Sequence, residues 1–542
     1  MTTDNRAAMW QLSPIALQIL HYLDDGDDAH AFLQAAPDGS LDDALDALRT
    51  LLAMDLELPL WPTPHIASLD AAYSINPSVV TKALPLFKKV QLGYCRDAAA
   101  SICHATELPP TTAVSADVQQ NAISVRAALG NWLPNLVNLE VLSSYGNALD
   151  FASIAEHDLS ECHRLRTLTL SQYKRLDQGT FDHALKTVVA TCPQVERFFF
   201  GSCSLMCMSD CTALLAWLAL PTARHLKLDR TDFENELGAE LATGMLMSST
   251  LETIELFEIP SFTRTFLSPS SPPLPPQLRH LTICDYMMCD GYYSIEEQEN
   301  AITDPPPAFD EADVAALAAK IATASRLESL DLWPRTSCDA TAVVSVLPQL
   351  PTLTKLALQE VHLTTFPHLV QLLHLDLSSS TFSDEAIESL ATLLCSSPKL
   401  KHLDLGCDQL PDHQAKTVLR ALPQWLSCRG TACDVYLAIQ SDVCVGAFTT
   451  ALALTRNSHA VNIILYALRL SLETKTKLVA ALRSTSGHHV TFFSPSRRKR
   501  APLPLPQRSR IPAVRTRSRF RSIPTVSLSK ARRNWLQYWR RR

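Results

Sequence analysis

Three cysteines four residues apart, Cys203, Cys207 and Cys211, have the spacing that stacks thiols on one helix face. Thiolates placed that way would ligate a soft metal ion, but a closed structural site needs four ligands. No fourth Cys or His stands nearby, and Cys203 also fits an inward position of the repeat frame described below. No metal and no cofactor are therefore expected. His488-His489 is a pair with no recognisable partner. The 14 glycines never come closer than Gly238 and Gly244, so the chain holds no GxGxxG, GxxxxGK or GxSxG, and it holds no HExxH either. The dinucleotide fingerprint, the phosphate loop, the nucleophile elbow and the metalloprotease helix are excluded together. With no acid, base or nucleophile in a recognisable frame, the expectation is a protein that is not an enzyme.

Charge divides the 542 residues in two. Positions 497–542 carry 16 Lys/Arg, no Asp/Glu and five prolines. Removing those 16 from the total of 48 leaves 32 basic against 55 acidic residues before them, a net of −23. An acidic body is a poor main surface for phosphate backbones. The last stretch, 496–542, reads as a disordered basic tail, because like charges repel and nothing in it buries a core. Arg497, Arg498, Lys499 and Arg500 are its nuclear-import candidate, with an import receptor or RNA as partner. A tail that only solubilises is the competing reading. No secretory signal and no 18-residue apolar run is present, and the 15 cysteines read as reduced thiols. The expected location is cytoplasmic, nuclear or both.

The elements that must position any of these residues are set by a recurring frame, L-x-x-L-x-L. It stands at Leu139/Leu142/Ser144, Leu165/Leu168/Leu170, Val195/Phe198/Phe200, Ala223/Leu226/Leu228, Leu251/Ile254/Leu256 and Leu278/Leu281/Ile283. It resumes at Leu327/Leu330/Leu332, Leu353/Leu356/Leu358, Leu372/Leu375/Leu377 and Leu400/Leu403/Leu405. The middle positions step by 26, 30, 28, 28 and 27, and then by 26, 19 and 28. A period near 28 is the mark of a solenoid. Helical segments follow the frames at 178–191, 211–220, 234–246, 311–323, from 383 or 384 onward, and 412–426. Weaker frames fall at Leu69, Val90/Leu92, Val435/Leu437, Ile463/Leu465 and Val490/Phe492, so the array is placed at 65–495. A Pro/acidic insertion interrupts it near 286–310. The segment Ser268–Pro276 reads as a stiff surface loop, with Leu274-Pro275-Pro276 as an SH3-type ligand in the alternative.

The frame often extends to L-x-x-L-x-L-x-x-N/C-x-L, with Asn147, Cys203, Ser380 and Asp408 at the polar place. In this form the chain resembles leucine-rich-repeat proteins of the ribonuclease-inhibitor-like class. That resemblance implies an α/β horseshoe solenoid with parallel strands inside and helices outside. The inward Asn, Cys or Ser would bond backbone groups of the adjacent coil. Residues between the two strand leucines would face the concave surface and meet an unknown substrate: Thr169, Lys227, Glu255, Thr282, Asp331, Asp376 and Asp404. The three L-D-L aspartates would draw a basic partner there.

Residues 1–60 carry no repeat. Leu12, Pro14, Ile15, Ile19 and Leu23 lie on an amphipathic helix, an Asp24–Asp28 turn follows, and two more helices cover Ala29–Leu33 and Leu41–Met54. This block resembles an F-box, with Ser13 interrupting the usual Leu-Pro pair. In F-box proteins such a block binds a Skp-type adaptor of a cullin ubiquitin ligase, and leucine-rich repeats behind it hold the substrate. Leu12, Pro14, Ile15, Ile19 and Leu23 would then dock the adaptor. The alternative is a helical cap on the first repeat of a ligase-independent binding protein, of inhibitor or GTPase-regulator type.

Overall fold

The computed structural model describes residues 13–493, apart from 38, 55, 57–59, 96–100, 120–124, 144–158, 173–177, 209, 234, 286–308, 407–409, 428–432, 439–440, 455–460, 467–472, 474–475 and 477–487. Its strands in chain order are β1 Lys89–Cys95, β2 Ala113–Gln119, β3 Leu136–Ser143, β4 Thr167–Gln172, β5 Arg197–Met208 and β6 His225–Phe233. They continue as β7 Thr253–Phe257, β8 His280–Cys284, β9 Ser329–Trp333, β10 Cys338–Asp339, β11 Lys355–Leu358 and β12 Val361–Leu363. The last are β13 His374–Asp376, β14 Thr381–Phe382, β15 His402–Leu405, β16 Cys433–Ala438, β17 Val461–Tyr466 and β18 His488–Phe493. Fifteen of them form one parallel sheet whose spatial order follows the chain, while β10, β12 and β14 form a second, small parallel sheet. Each strand of the large sheet belongs to one coil of a solenoid. Most coils return through a helix, because a parallel pair needs a crossover.

The alternation of the frame decides which face is buried. Leu168, Leu256, Leu332, Leu377 and Leu405 are all at most 1% exposed, and the helices contribute to the same core through Leu241, Leu317, Leu390 and Val418. Ser380 bears out the inward polar place: its Oγ donates to the Leu358 carbonyl at 2.8 Å and accepts from Val361 N at 3.3 Å. Asn147 and Asp408, and the side chain of Cys203, fall outside the described residues.

Several details differ from the sequence reading. In the frame assigned to Leu139, Leu142 and Ser144, the middle place belongs to Leu139, which pairs with Leu168, and Val141 pairs with Leu170. The first step is therefore 29 residues, and Leu136 opens the frame. Leu69 lies in a helix, Ile66–Ile75, so the sheet begins at Lys89. β2 shows no frame in the sequence because its inward residues are the small Val114 and Ala116. The 19-residue step from Leu356 to Leu375 contains no helix; Phe366 and Leu369 fill the core in its place. The long step breaks nothing, since β8 pairs directly with β9. The proline-rich segment is not a free surface ligand. Leu274 and Pro275 are buried, and Lys320 Nζ donates to the carbonyls of Pro272 (2.7 Å) and Ser271 (3.2 Å).

A line of residues just ahead of the strands forms a rim. Arg166, Glu196, Arg224, Glu252, Arg279 and Glu328 alternate in sign over six coils. They close the pairs Arg166–Glu196 (3.3 Å), Arg224–Glu252 (2.9 Å) and Arg279–Glu328 (3.2 Å).

At the start, helices Ser13–Leu20, Gly26–Gln34 and Asp43–Leu52 pack through Leu20, Leu33, Leu45, Leu48 and Leu51. Asp25 and Asp42 cap the second and third, accepting from Asp27 N at 2.7 Å and Leu45 N at 2.8 Å. Hydrogen bonds among the described residues tie the block to the first coil. Trp61, 3% exposed, donates from Nε1 to the Leu23 carbonyl at 2.7 Å and stacks on His21. Gln91 N of β1 donates to Pro64 O at 2.9 Å, and Gly93 N donates to His65 Nε2 at 2.9 Å. A Cβ on Gly93 would lie 2.1 Å from that ring nitrogen, so any other residue there would have to displace the His65 ring. Among the described residues no helix is long and apolar enough to cross a membrane.

Candidate functional site

The face of the sheet opposite the leucines is open, and its side chains stand in rows set by the strand register. The register brings the seven residues expected on the concave face into one row together with Phe199 and Ala357: Thr169, Phe199, Lys227, Glu255, Thr282, Asp331, Ala357, Asp376 and Asp404. Their neighbours change what they offer. Asp331 Oδ2 is held by Lys355 Nζ at 2.7 Å. Asp376 is 2% exposed and accepts from Gln359 Nε2 at 2.8 Å and Ser378 N at 3.0 Å. Asp404 accepts from Gly406 N at 2.9 Å. Of the three L-D-L aspartates, Asp331 is paired and Asp376 is buried, while Asp404 is half-exposed. Lys227 sits 4.3 Å over the Phe257 ring.

The row one step toward the rim carries what the repeat frame alone does not flag. It runs Asn138, Thr167, Arg197, His225, Thr253, His280, Ser329, Lys355, His374 and His402. A signal is present in the sequence: His precedes the middle leucine in four frames, as His225-Leu226, His280-Leu281, His374-Leu375 and His402-Leu403. Its significance appears only once the register aligns those four on one line. His374 stacks on His402 at 3.9 Å, and His402 meets Tyr436 at 5.0 Å. Phe199 presents its edge to His225 at 4.6 Å, and Phe257 and Trp333 are half-exposed at the trailing end of the strands.

Electrostatics follow from this packing. Burial pushes the Glu255 carboxyl up, but the His225 hydrogen bond (3.0 Å) and the charges of His225, Lys227 and Lys355 outweigh it, so the net shift is downward. Burial also holds the His280 imidazole below its usual range; Lys355, His225 and Arg279 add to that, and Glu328 opposes it.

On the first helix Leu12 lies outside the described residues, Pro14 is exposed, and Ile15 is 41% exposed. Ile19 is half-buried. Leu23 is half-buried too, but it packs on the core. The outward apolar residue of this stretch is instead Tyr22, 84% exposed. The outward stripe is thus Ile15, Ile19 and Tyr22, at the i, i+4, i+7 spacing of one helix face. Cys211 is buried with its thiol toward the Leu237 carbonyl; the side chains of Cys203 and Cys207 on β5 lie outside the described residues. Among the described residues no group of three His, Cys, Asp or Glu is placed to hold a metal ion. Arg497, Arg498, Lys499 and Arg500 also lie outside the described residues.

No family model matches the chain, and no curated protein matches it. Among solved structures it is similar to a chain of the crystal structure of the yeast Rad7 and Elc1 complex. The two share 12% identity and a TM-score of 0.33, over 78% of this chain and 86% of that one. Likeness at that level assigns neither a family nor a function.

Proposed function

We propose that this protein is a non-enzymatic recognition scaffold: a leucine-rich-repeat substrate receptor whose N-terminal helices dock a Skp-type adaptor of a cullin ubiquitin ligase. The observation that carries the scaffold reading is the open face itself. Its strands keep one parallel register from coil to coil while its side chains differ in nearly every coil, which is how a repeat protein reads a partner. The adaptor reading is supported by the outward stripe Ile15, Ile19 and Tyr22 on a helix whose other side, Ala16 and Leu20, is sealed in the core. Changing Ile15 and Ile19 to Asp in the full chain is expected to abolish capture of a Skp-type adaptor while leaving the melting temperature close to that of the parent. Undiminished capture by the double variant rules out the stripe as the docking site.

A second reading has its own support. The Pro64–Gln91, His65–Gly93 and Trp61–Leu23 bonds make the N-terminal block a seal on the first coil, which is what a repeat array needs whether or not it serves a ligase. If the unmodified chain captures no adaptor, the ligase-independent scaffold is what remains.

A further inference from the structure

We propose that the row led by Arg197, His225, His280, Lys355 and His374 is a docking line for an extended acidic segment of a partner protein. This rests on the reading of the open face as a protein-recognition surface and names the chemistry of what it holds. Three observations carry it. From Asn138 on β3 to His402 on β15 the row crosses ten adjacent strands before it meets its first carboxylate, Asp434 on β16, in a body whose net charge is −23. Four of those ten places are His, although only 17 of the 542 residues are. Composition alone does not put them there.

The second observation is availability. The rim beside this row alternates in sign and pairs off within itself, so its charges are already used. Arg197 is exposed and makes no side-chain hydrogen bond or ion pair among the described residues, and the same holds for the His280 ring. The third is an internal precedent. Glu255 projects from the next row into the field of His225, Lys227 and Lys355, and they hold it as a carboxylate despite its burial. A guest carboxylate beside His280 would meet the same kind of surroundings.

Size follows from the register. Arg197 to His374 spans six strand spacings of ~4.8 Å, about 29 Å, which an extended peptide of about nine residues covers at ~3.3 Å per residue. Half-exposed Phe199 and Phe257 would flank its backbone on the inner side. Asp331 already holds Lys355, so that end of the line engages a guest by sharing the ammonium rather than by meeting a free one.

The test uses the full chain and two labelled ten-residue peptides, alternating Glu/Ser and alternating Lys/Ser, followed by fluorescence anisotropy. The acidic peptide should bind and the basic one should not. Replacing Arg197 and His280 by Gln should weaken binding about tenfold, the loss expected for one charge-assisted contact from Arg197 and one neutral hydrogen bond from the His280 ring. Both side chains reach solvent, so a parallel thermal melt should be unchanged. A Lys355→Gln variant serves as a second probe should the first prove unstable. The tail, with 16 basic residues, is an obvious competitor, and it is identical in parent and variant. Binding that the variants leave unchanged, or a photo-crosslink from the acidic peptide only to residues 497–542, overturns the docking line. Preference for the basic peptide overturns it too, yet leaves the scaffold reading standing; loss of adaptor capture in the Ile15/Ile19 variant tests that reading separately.

Discussion

Two lines of side chains run side by side across the same strands and differ completely in how their charge is spent. On the rim, Arg166, Glu196, Arg224, Glu252, Arg279 and Glu328 answer one another coil by coil. One residue further on, Arg197, His225, His280 and Lys355 stand in a row that meets its first carboxylate only at Asp434 on β16. The rim is nearly neutral to anything that approaches, because its charges answer one another between neighbouring coils. The row is set to meet something else. The comparison teaches that position on a repeat does not decide role; the sum over neighbouring coils does.

Both lines stand on the leucines below them, so the largest effect comes from there. Leu226 is fully buried between His225 and Lys227. Leu226→Ala should cost about 2–5 kcal/mol, the range for a buried leucine whose cavity closes only in part. Chemical denaturation reads it. Because stacked coils share one core, the same variant should weaken both lines together. A cost below about 1 kcal/mol would mean that the sheet tolerates a gap there and that the row's geometry is not rigid.

Acidification separates the lines. The His280 imidazole is held below its ordinary value of 6.5, first by burial and then by Lys355, His225 and Arg279, against Glu328. The unfolded chain therefore takes up this proton first as pH falls. Stability that is fully present above 6.5 is lost as pH drops from there to the folded value. His21 and His65, depressed chiefly by burial, act in the same direction at the N-terminal seal. The expected result is a melting temperature that falls below the ordinary histidine value of 6.5, with a shallower slope in His280→Gln. A guest carboxylate on the row would oppose the loss.

How much of this is legible in the sequence depends on what kind of residue carries the signal. Strands with two large inward residues, such as Leu168 and Leu170 or Leu403 and Leu405, announce themselves, because burial demands the same chemistry in every coil. β2 does not, since Val114 and Ala116 fill less space and break the frame. The first frame slips by three residues because Leu136, Leu139 and Leu142 offer two equally good readings, and only pairing with Leu168 decides between them. Leu274 reads as surface because proline suggests a loop, whereas its segment is held down by Lys320, on a helix beyond the insertion. The open face is the least legible. Thr169 to Asp404 fall into a row by position, but Asp331 and Asp376 lose their freedom to Lys355 and Gln359, which lie in other coils. The four His-Leu pairs are in plain view and acquire meaning only from register.

At the trailing end of the strands a backbone feature recurs. Arg230, Glu258, Glu360 and Ser379 have φ of 50, 53, 56 and 58°, each four residues after its middle leucine or isoleucine. This left-handed bend costs a side-chain-bearing residue about 1 kcal/mol. Arg230 and Glu258 use their side chains, pairing at 3.3 Å. Ser379 is exposed, so Ser379→Gly should raise stability by about 0.5–1 kcal/mol after the added freedom of the unfolded glycine is counted. A fall in melting temperature would show that the serine contributes more than its backbone strain costs.

The smallest effect tests the rim itself. Arg224 and Glu252 are each well exposed, and a pair of that kind is worth about 0.2–1 kcal/mol. Arg224→Glu should therefore cost little more than that, chiefly by setting a negative charge between Glu196 and Glu252. Exchanging the two residues, Arg224→Glu with Glu252→Arg, restores the local pair. It also leaves the new carboxylate beside Glu196 and the new guanidinium beside Arg279, so the alternation is broken at both joins. If only the pair matters, the exchange should return stability to that of the parent. If the alternation acts as a register device along six coils, the exchange should stay destabilised by a few tenths of a kcal/mol and lose that deficit in high salt, where exposed charges are screened within ~3 Å at about 1 M. The docking row supplies the control: Arg197→Gln interrupts no alternation, so its effect should appear in peptide binding and be absent from the melt.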